Sequence, residues 1–157
     1  MNILSHPRLF IRVCLFIVAS GLLSSMIAVA GETLSGSFDR PDIFLSWRLS
    51  KEEGRLFLTG QAINKSFVKA ENMQLAIRVT DENAVEQGRA NFLFFPTEVH
   101  HDDKLPYGMI IKVPDSNAIT SLDFNLYYEQ EDSDGILFPI LQHFSAKLPI
   151  SRSDSDR

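Results

Sequence analysis

MQLAIRV, Met73 to Val79, places Met73, Leu75, Ile77 and Val79 on one side of an extended chain and Gln74, Arg78 and Thr80 on the other. Strict alternation is the mark of a strand with one face in a core and one in water. The same pattern recurs on both sides of it. In IFLSWRLS, Ile43, Leu45, Trp47 and Leu49 fall together, and RLFLTGQAI (55–63) follows, with Gly60 marking a bulge or the close approach of another segment. Downstream, ANFLFF (90–95) is apolar on both faces and reads as a central strand ended by Pro96. YGMIIKV (107–113) and LDFNLYYE (122–129) alternate again. ILFPILQHFSAKL (136–148) closes the series as an edge or bent strand, because Pro139 cannot donate to a ladder.

Turn chemistry separates these runs. DEN (81–83), PDSN (114–117) and EDSDG (131–135) carry the Asp, Asn, Pro and Gly that turns select, and Asp134-Gly135 suits a tight hairpin. No segment has helical spacing. The expected fold is therefore all-β, a seven-stranded antiparallel immunoglobulin-like sandwich over residues 31–150, with a small closed barrel as the rival architecture.

The first thirty residues read as an export signal. Arg8 and Arg12 precede an apolar run, and Ala28-Val29-Ala30 is a small-x-small cleavage pattern, so the mature chain is expected to begin at Gly31. Ser20, Ser24 and Ser25 interrupt the run, which is shorter than the roughly 20 apolar residues of a membrane span. Cys14, the only cysteine, lies inside this segment behind Val13 and Arg12, a context unsuited to lipidation. A mature chain without thiols has no disulfides, thiolate ligands or cysteine nucleophile, which points to a bacterial envelope, periplasmic or secreted. SRSDSDR (151–157) reads as a polar, disordered tail.

The chain has 157 residues, with 15 Lys and Arg against 20 Asp and Glu, a net charge of −5 that becomes more negative once Arg8 and Arg12 are removed. An acidic chain without a basic cluster is a poor ligand for nucleic acid or an anionic membrane. The expected partner is another envelope protein, with no stable membrane insertion after cleavage.

The run LTGQAINKSFVKAENMQLAIRVTDENAVEQG resembles the bacterial FxLYD and related immunoglobulin-like domains. Gly60, Ile63, Asn64 and Ser66 match their Gly-x-Val-x-Asn-x-Ser turn, and Leu75, Ile77, Val79 and Asp81 match the strand that follows. LPYGMIIKVP is similar to their later proline-glycine loop and strand, so the likeness spans Leu56 to Glu129. The sequence departs at the name-giving motif. AIRVTD stands where it is expected, and FNLYYE, two strands later, has Tyr128 in place of the aspartate. The resemblance implies a non-enzymatic, extracytoplasmic module.

Several constellations bear on chemistry. Asp132 and Asp134 before Gly135 suggest a calcium loop, but an EF-hand frame places Gln130 and Leu141 where acids are required. Asn64-Lys65-Ser66 matches a glycosylation acceptor, although Asn64 equally serves to turn the chain. No serine sits in a nucleophile-elbow string and no glycine-rich phosphate loop occurs, so the chain reads as non-catalytic with no cofactor. Asn125, Tyr127 and Glu129 form an outward stripe that suits either a binding face or ordinary cross-strand packing.

EVHHDDKLPYG holds the remaining candidates. His100, His101, Asp102 and Asp103 are good metal-ligand types, which makes a periplasmic metal-binding protein the alternative function. In an extended chain only His100 with Asp102, or His101 with Asp103, share a side, and His143 is the sole distant histidine able to complete a set. A histidine pair in an acidic loop also suits an acidification sensor, and the segment otherwise reads as a polar loop between core strands.

Overall fold

A computed structural model describes residues 33–149; the segment read as an export signal and the stretch read as a polar tail lie outside the described residues. Nine strands follow one another: β1 (Thr33–Asp39), β2 (Ile43–Glu52), β3 (Arg55–Asn64), β4 (Ala70–Thr80), β5 (Glu86–Leu93), β6 (Glu98–Val99), β7 (Lys104–Lys112), β8 (Ser121–Glu131) and β9 (Leu137–Lys147). They build two antiparallel sheets, β1-β2-β3-β7 and β5-β4-β8-β9, with β6 added beside the start of β4. No helix occurs among the described residues.

Seven strands were expected, and the two additional ones have physical reasons for being illegible. β6 is two residues long, too short to show a period. β1, TLSGSFD, carries Gly36 in the middle of its inward row, between Leu34 and Phe38. A Cβ on Gly36 would stand 2.6 Å from the indole of Trp47, so the large ring fills the place a side chain would occupy. The same exchange occurs on the other side of Trp47. The register runs Gly36, Trp47, Gly60, Tyr107 across the four strands, and aromatic rings alternate with glycines. Gly60 is a site of close approach without a bulge: an added Cβ would meet the Ser46 carbonyl oxygen at 2.0 Å and the Tyr107 ring at 2.6 Å. Tyr107 crosses it and donates its hydroxyl proton to that carbonyl at 3.0 Å. Burial pushes the Tyr107 phenol well above its ordinary range, so it stays a donor.

The inward rows of the two sheets meet in one core that includes Ile43, Leu45, Leu58, Leu75, Ile77, Phe124, Leu126 and Tyr128. On one side β5 and β7 lie against each other, and Phe92 and Phe94 pack on Tyr107 at 6.1 and 5.9 Å between ring centroids. On the other side, Phe38 of β1 stacks on Phe144 of β9 at 4.8 Å. β5 pairs only with β4, so ANFLFF is an edge strand and its tail, where a central strand was expected. Its second apolar face, Leu93 and Phe95, stands in solvent, with Phe95 76% exposed. β7 likewise starts earlier than its period suggests: Pro106 lies inside it, tolerated because β7 is an edge.

Replacing Gly60 with Ala is expected to destabilise the fold by about 2 kcal/mol or more, since backbone rather than a mobile side chain must yield. Equilibrium urea unfolding of Gly60→Ala against the wild-type chain measures it.

Candidate functional site

The loops at one end of the sandwich are organised by Asn64, the last residue of β3. It is 1% exposed and fully bonded. Its Nδ2 donates to the carbonyls of Val68 at 3.0 Å and Val99 at 2.9 Å, while its Oδ1 accepts from the Ser66 amide at 3.0 Å. Its own carbonyl accepts from the Asp102 amide at 2.7 Å. The acceptor motif around Asn64 is therefore a chain-turning device: the side chain ties the β3–β4 loop to β6, and the main-chain carbonyl seats the histidine turn.

The histidine segment is a turn rather than an extended loop, which changes the expected pairings. The Asp103 carboxylate accepts from the His100 amide at 2.8 Å, and the Asp103 amide donates back to the His100 carbonyl at 3.2 Å. Asp102 takes a left-handed conformation, φ 63°. His101 and Asp102, neighbours in sequence, come within 3.5 Å (Nε2 to Oδ2), and the His101 Nδ1 donates to the Ser66 carbonyl at 3.2 Å. The His101 ring stacks on Phe67, centroids 4.3 Å apart. His143 does not join them. It sits on β9 with Nδ1 3.0 Å from the Asn125 Oδ1. Among the described residues, no group of three or more His, Cys, Asp or Glu side chains is arranged to hold a metal ion.

The same end carries apolar side chains in the open. Phe67 is 91% exposed, and Val68, Phe95, Ile136, Leu137 and Phe138 are exposed around it, with Leu93 and Leu141 one row further along the β5-β4-β8-β9 sheet. Acids surround them. Glu129, Glu131, Asp132 and Asp134 belong to the β8–β9 hairpin, and Asp102 and Asp103 to the histidine turn. Asp132 is spent on the hairpin itself, its carboxylate accepting from the amides of Asp134 and Ile136 at 2.9 Å each.

The stripe predicted on β8 does share one outer face. Tyr127 donates to Glu129 at 2.7 Å, and Asn72, at a bulge in β4, donates to the other Glu129 oxygen at 2.7 Å. Those two bonds hold the Glu129 carboxyl below its usual range, the Asn72 bond contributing most, and the same contact raises the Tyr127 phenol.

Further along that face, the register aligns Asn91, Ala76, Asn125 and His143 in one row and Arg89, Arg78, Asp123 and Ser145 in the next. A recess of about 480 Å³ lies there, lined by Ala76, Arg78, Arg89, Asn91, Asn125 and His143 among others. Ser145 Oγ stands 3.2 Å from the His143 Nε2, yet its proton goes to Asp123 Oδ1 at 2.8 Å. The order is a relay of hydrogen bonds and not that of a nucleophile facing its base. Residues 143 and 145 share a face by period two, but only the register across β8 and β9 brings Asn125 and Asp123 to them. Arg89, ahead of the apolar run, escaped the sequence reading altogether.

No family model and no curated protein sequence matches the chain. Among solved structures, the putative ApaA protein from Bordetella pertussis aligns at 13% identity and a TM-score of 0.40, over 78% of this chain and 93% of that one. A structural-genomics target designated SoR45 aligns at 13% identity and a TM-score of 0.37, over 80% and 89%. A β-glucuronidase from glycoside hydrolase family 2 aligns at 7% identity and a TM-score of 0.34, over 76% of this chain but only 11% of the enzyme. Likenesses this distant carry no functional conclusion.

Two outcomes follow from these contacts. Asn64→Ala strands two carbonyls and one amide, and is expected to cost roughly 2–3 kcal/mol in urea unfolding and to speed amide hydrogen exchange at Ser66. Asp123 supplies a pH dependence. Partial burial favours its neutral form, but hydrogen bonds from Ser145 and Arg78, with the Arg78 charge, outweigh this and hold its carboxyl below the usual value. A depressed folded pKa means stability that is present above the ordinary aspartate range and lost as pH falls through the folded value. Asp123→Asn is expected to flatten the acid limb of a stability profile measured below about pH 4.

Proposed function

We propose that the chain is an exported, non-catalytic interaction module of a bacterial cell envelope, immunoglobulin-like in type, which docks through the end of the sandwich that bears Phe67, Phe95, Ile136 and Phe138. One observation carries this reading. Of the large apolar side chains exposed among the described residues, all but Val85 and Ile110 gather at that end or on the adjoining sheet rows. A folded domain gains nothing from leaving aromatic rings in water, and a gathered patch of them is the usual signature of a surface that another molecule covers.

The kind of partner follows from the surroundings. The patch is rimmed by Glu129, Glu131, Asp132, Asp134, Asp102 and Asp103 against Lys65 and Lys69, so the rim is acidic in balance and a matching surface carries apolar or aromatic side chains within a basic rim. β9, which among the described residues pairs only with β8, adjoins the patch and offers a backbone ladder to an extended segment of that partner. The resemblance to FxLYD-type domains supports an extracytoplasmic setting, as does the signal read over residues 1–30.

A double variant, Phe67→Ser with Phe138→Ser, tests the reading. Neither ring contributes to the core, so stability is expected to stay within about 0.5 kcal/mol. Chemical cross-linking in intact cells of the source bacterium is expected to give a discrete adduct with the wild-type chain and with Val85→Ser, and to lose it in the double variant. An adduct that survives the double substitution, or a wild-type chain that forms none, overturns the proposal.

A further inference from the structure

The recess on the outer face of the β5-β4-β8-β9 sheet combines features that the docking end does not use. Arg78 of β4 and Arg89 of β5 are direct cross-strand partners. Like charges placed opposite each other on one face of a sheet are destabilising, so the pair needs a compensating reason. Two carboxylates moderate it without filling it. Arg78 gives one terminal nitrogen to Asp123 Oδ2 at 3.0 Å, and Arg89 gives its Nε to Glu86 Oε1 at 2.6 Å. Each guanidinium has five N–H donors in a rigid fork, so most of the donors remain for something else. Both side chains stay accessible, at 53% and 74%.

The acids also act as anchors. Asp123 is fixed from its other oxygen by the Ser145 hydroxyl at 2.8 Å, so the Arg78 fork is positioned by a chain of bonds running back into β9. Beside the arginines, the small side chain of Ala76 lies between Asn91 and Asn125, which are its partners on the two neighbouring strands. The Asn125 carbonyl oxygen is occupied by the His143 Nδ1 at 3.0 Å, which leaves the Asn125 amide NH2 as a donor. A shallow floor, two guanidinium forks, two carboxamides and the His143 ring surround about 480 Å³, with the Glu86 carboxylate at the Arg89 side and paired to its Nε.

We propose that this recess binds a small polar ligand through an oxyanion, either a carboxylate or a phosphate group, bridged between Arg78 and Arg89, with Asn91 and Asn125 bonding its hydroxyl or amide groups. Guanidinium pairs match the paired oxygens of both anions, and the flanking amides supply the neutral hydrogen bonds that a bare salt pair lacks. The site is independent of the apolar end of the sandwich, and either can be lost without the other.

The test is titration of the isotopically labelled full chain, followed by amide and arginine side-chain NMR, with inorganic phosphate, with citrate, and with chloride at matched ionic strength. Saturable shifts at Ala76, Arg78, Arg89 and Asn91 are expected with phosphate or with citrate, and the anion that saturates identifies the group recognised. Arg89→Gln is expected to weaken that binding roughly tenfold or more, the loss of hydrogen bonds to a charged group. Arg55→Gln, which removes the same charge from the other sheet, is expected to leave it unchanged. The proposal is overturned if neither anion saturates, if chloride reproduces the shifts, or if Arg55→Gln weakens binding as much as Arg89→Gln. Arg89 makes no contact with the core, so a folded variant is available for the comparison.

Discussion

A single buried carboxamide organises the loops at one end of this sandwich. Asn64 leaves β3 with its side chain turned inward, where a polar group survives only if every donor and acceptor is matched. The matches it finds are the carbonyls of Val68 and Val99 and the amide of Ser66, with its own carbonyl on the Asp102 amide. These bonds reach three separate segments. The β3–β4 loop is thereby folded back, β6 is held beside the start of β4, and the histidine turn is seated against Ser66. Phe67 stands outermost on that loop, its ring backed by His101. The asparagine adds a shared buried anchor to the direct contacts between these segments, the pairing of β6 with the start of β4 and the His101 Nδ1 bond to the Ser66 carbonyl.

Asp42 gives the same end a second brace, this time between the sheets. Its carboxylate accepts from the Tyr128 hydroxyl of β8 and from Gln142 of β9 at 3.2 Å, while its carbonyl accepts from the amides of Lys65 at 2.9 Å and Ser66 at 3.3 Å. Burial and the neighbouring carboxylate both push the Tyr128 phenol upward, so it remains a donor across the physiological range. The sheets are therefore fixed at the end that carries the histidine turn. A rigid end suits a surface that presents exposed rings, because little side-chain or loop entropy is lost when such a surface is covered.

The sides of the sandwich differ in a way that separates its two candidate surfaces. β5 and β7 close one side through Phe92, Phe94 and Tyr107, whereas on the other side β9 pairs, among the described residues, only with β8. The recess between Arg78 and Arg89 lies on the flat outer face between these sides, and the apolar end lies beyond it. The polar recess and the exposed apolar side chains thus occupy different stretches of the molecule, with Tyr127, Gln74, Leu93 and Leu141 forming the row between.

By itself, the sequence determined the fold class and the position of most strands, because period-two alternation in runs such as Met73–Val79 is a local consequence of burying one face. It also determined the turns, where Asp132 and Gly135 act on their immediate neighbours. It did not reveal β1, whose inward row is broken by Gly36 to make room for the Trp47 ring of its pairing partner on β2, nor the edge position of β5, which depends on where β7 lies. Asn125, Tyr127 and Glu129 were legible as a stripe, since one strand defines them. His143 beside Asn125, Ser145 beside Asp123, and Arg89 opposite Arg78 were not. Each is a cross-strand neighbour, and such neighbours are set by which strands pair and in what register, a decision made by packing the whole core and written in no local stretch of the chain.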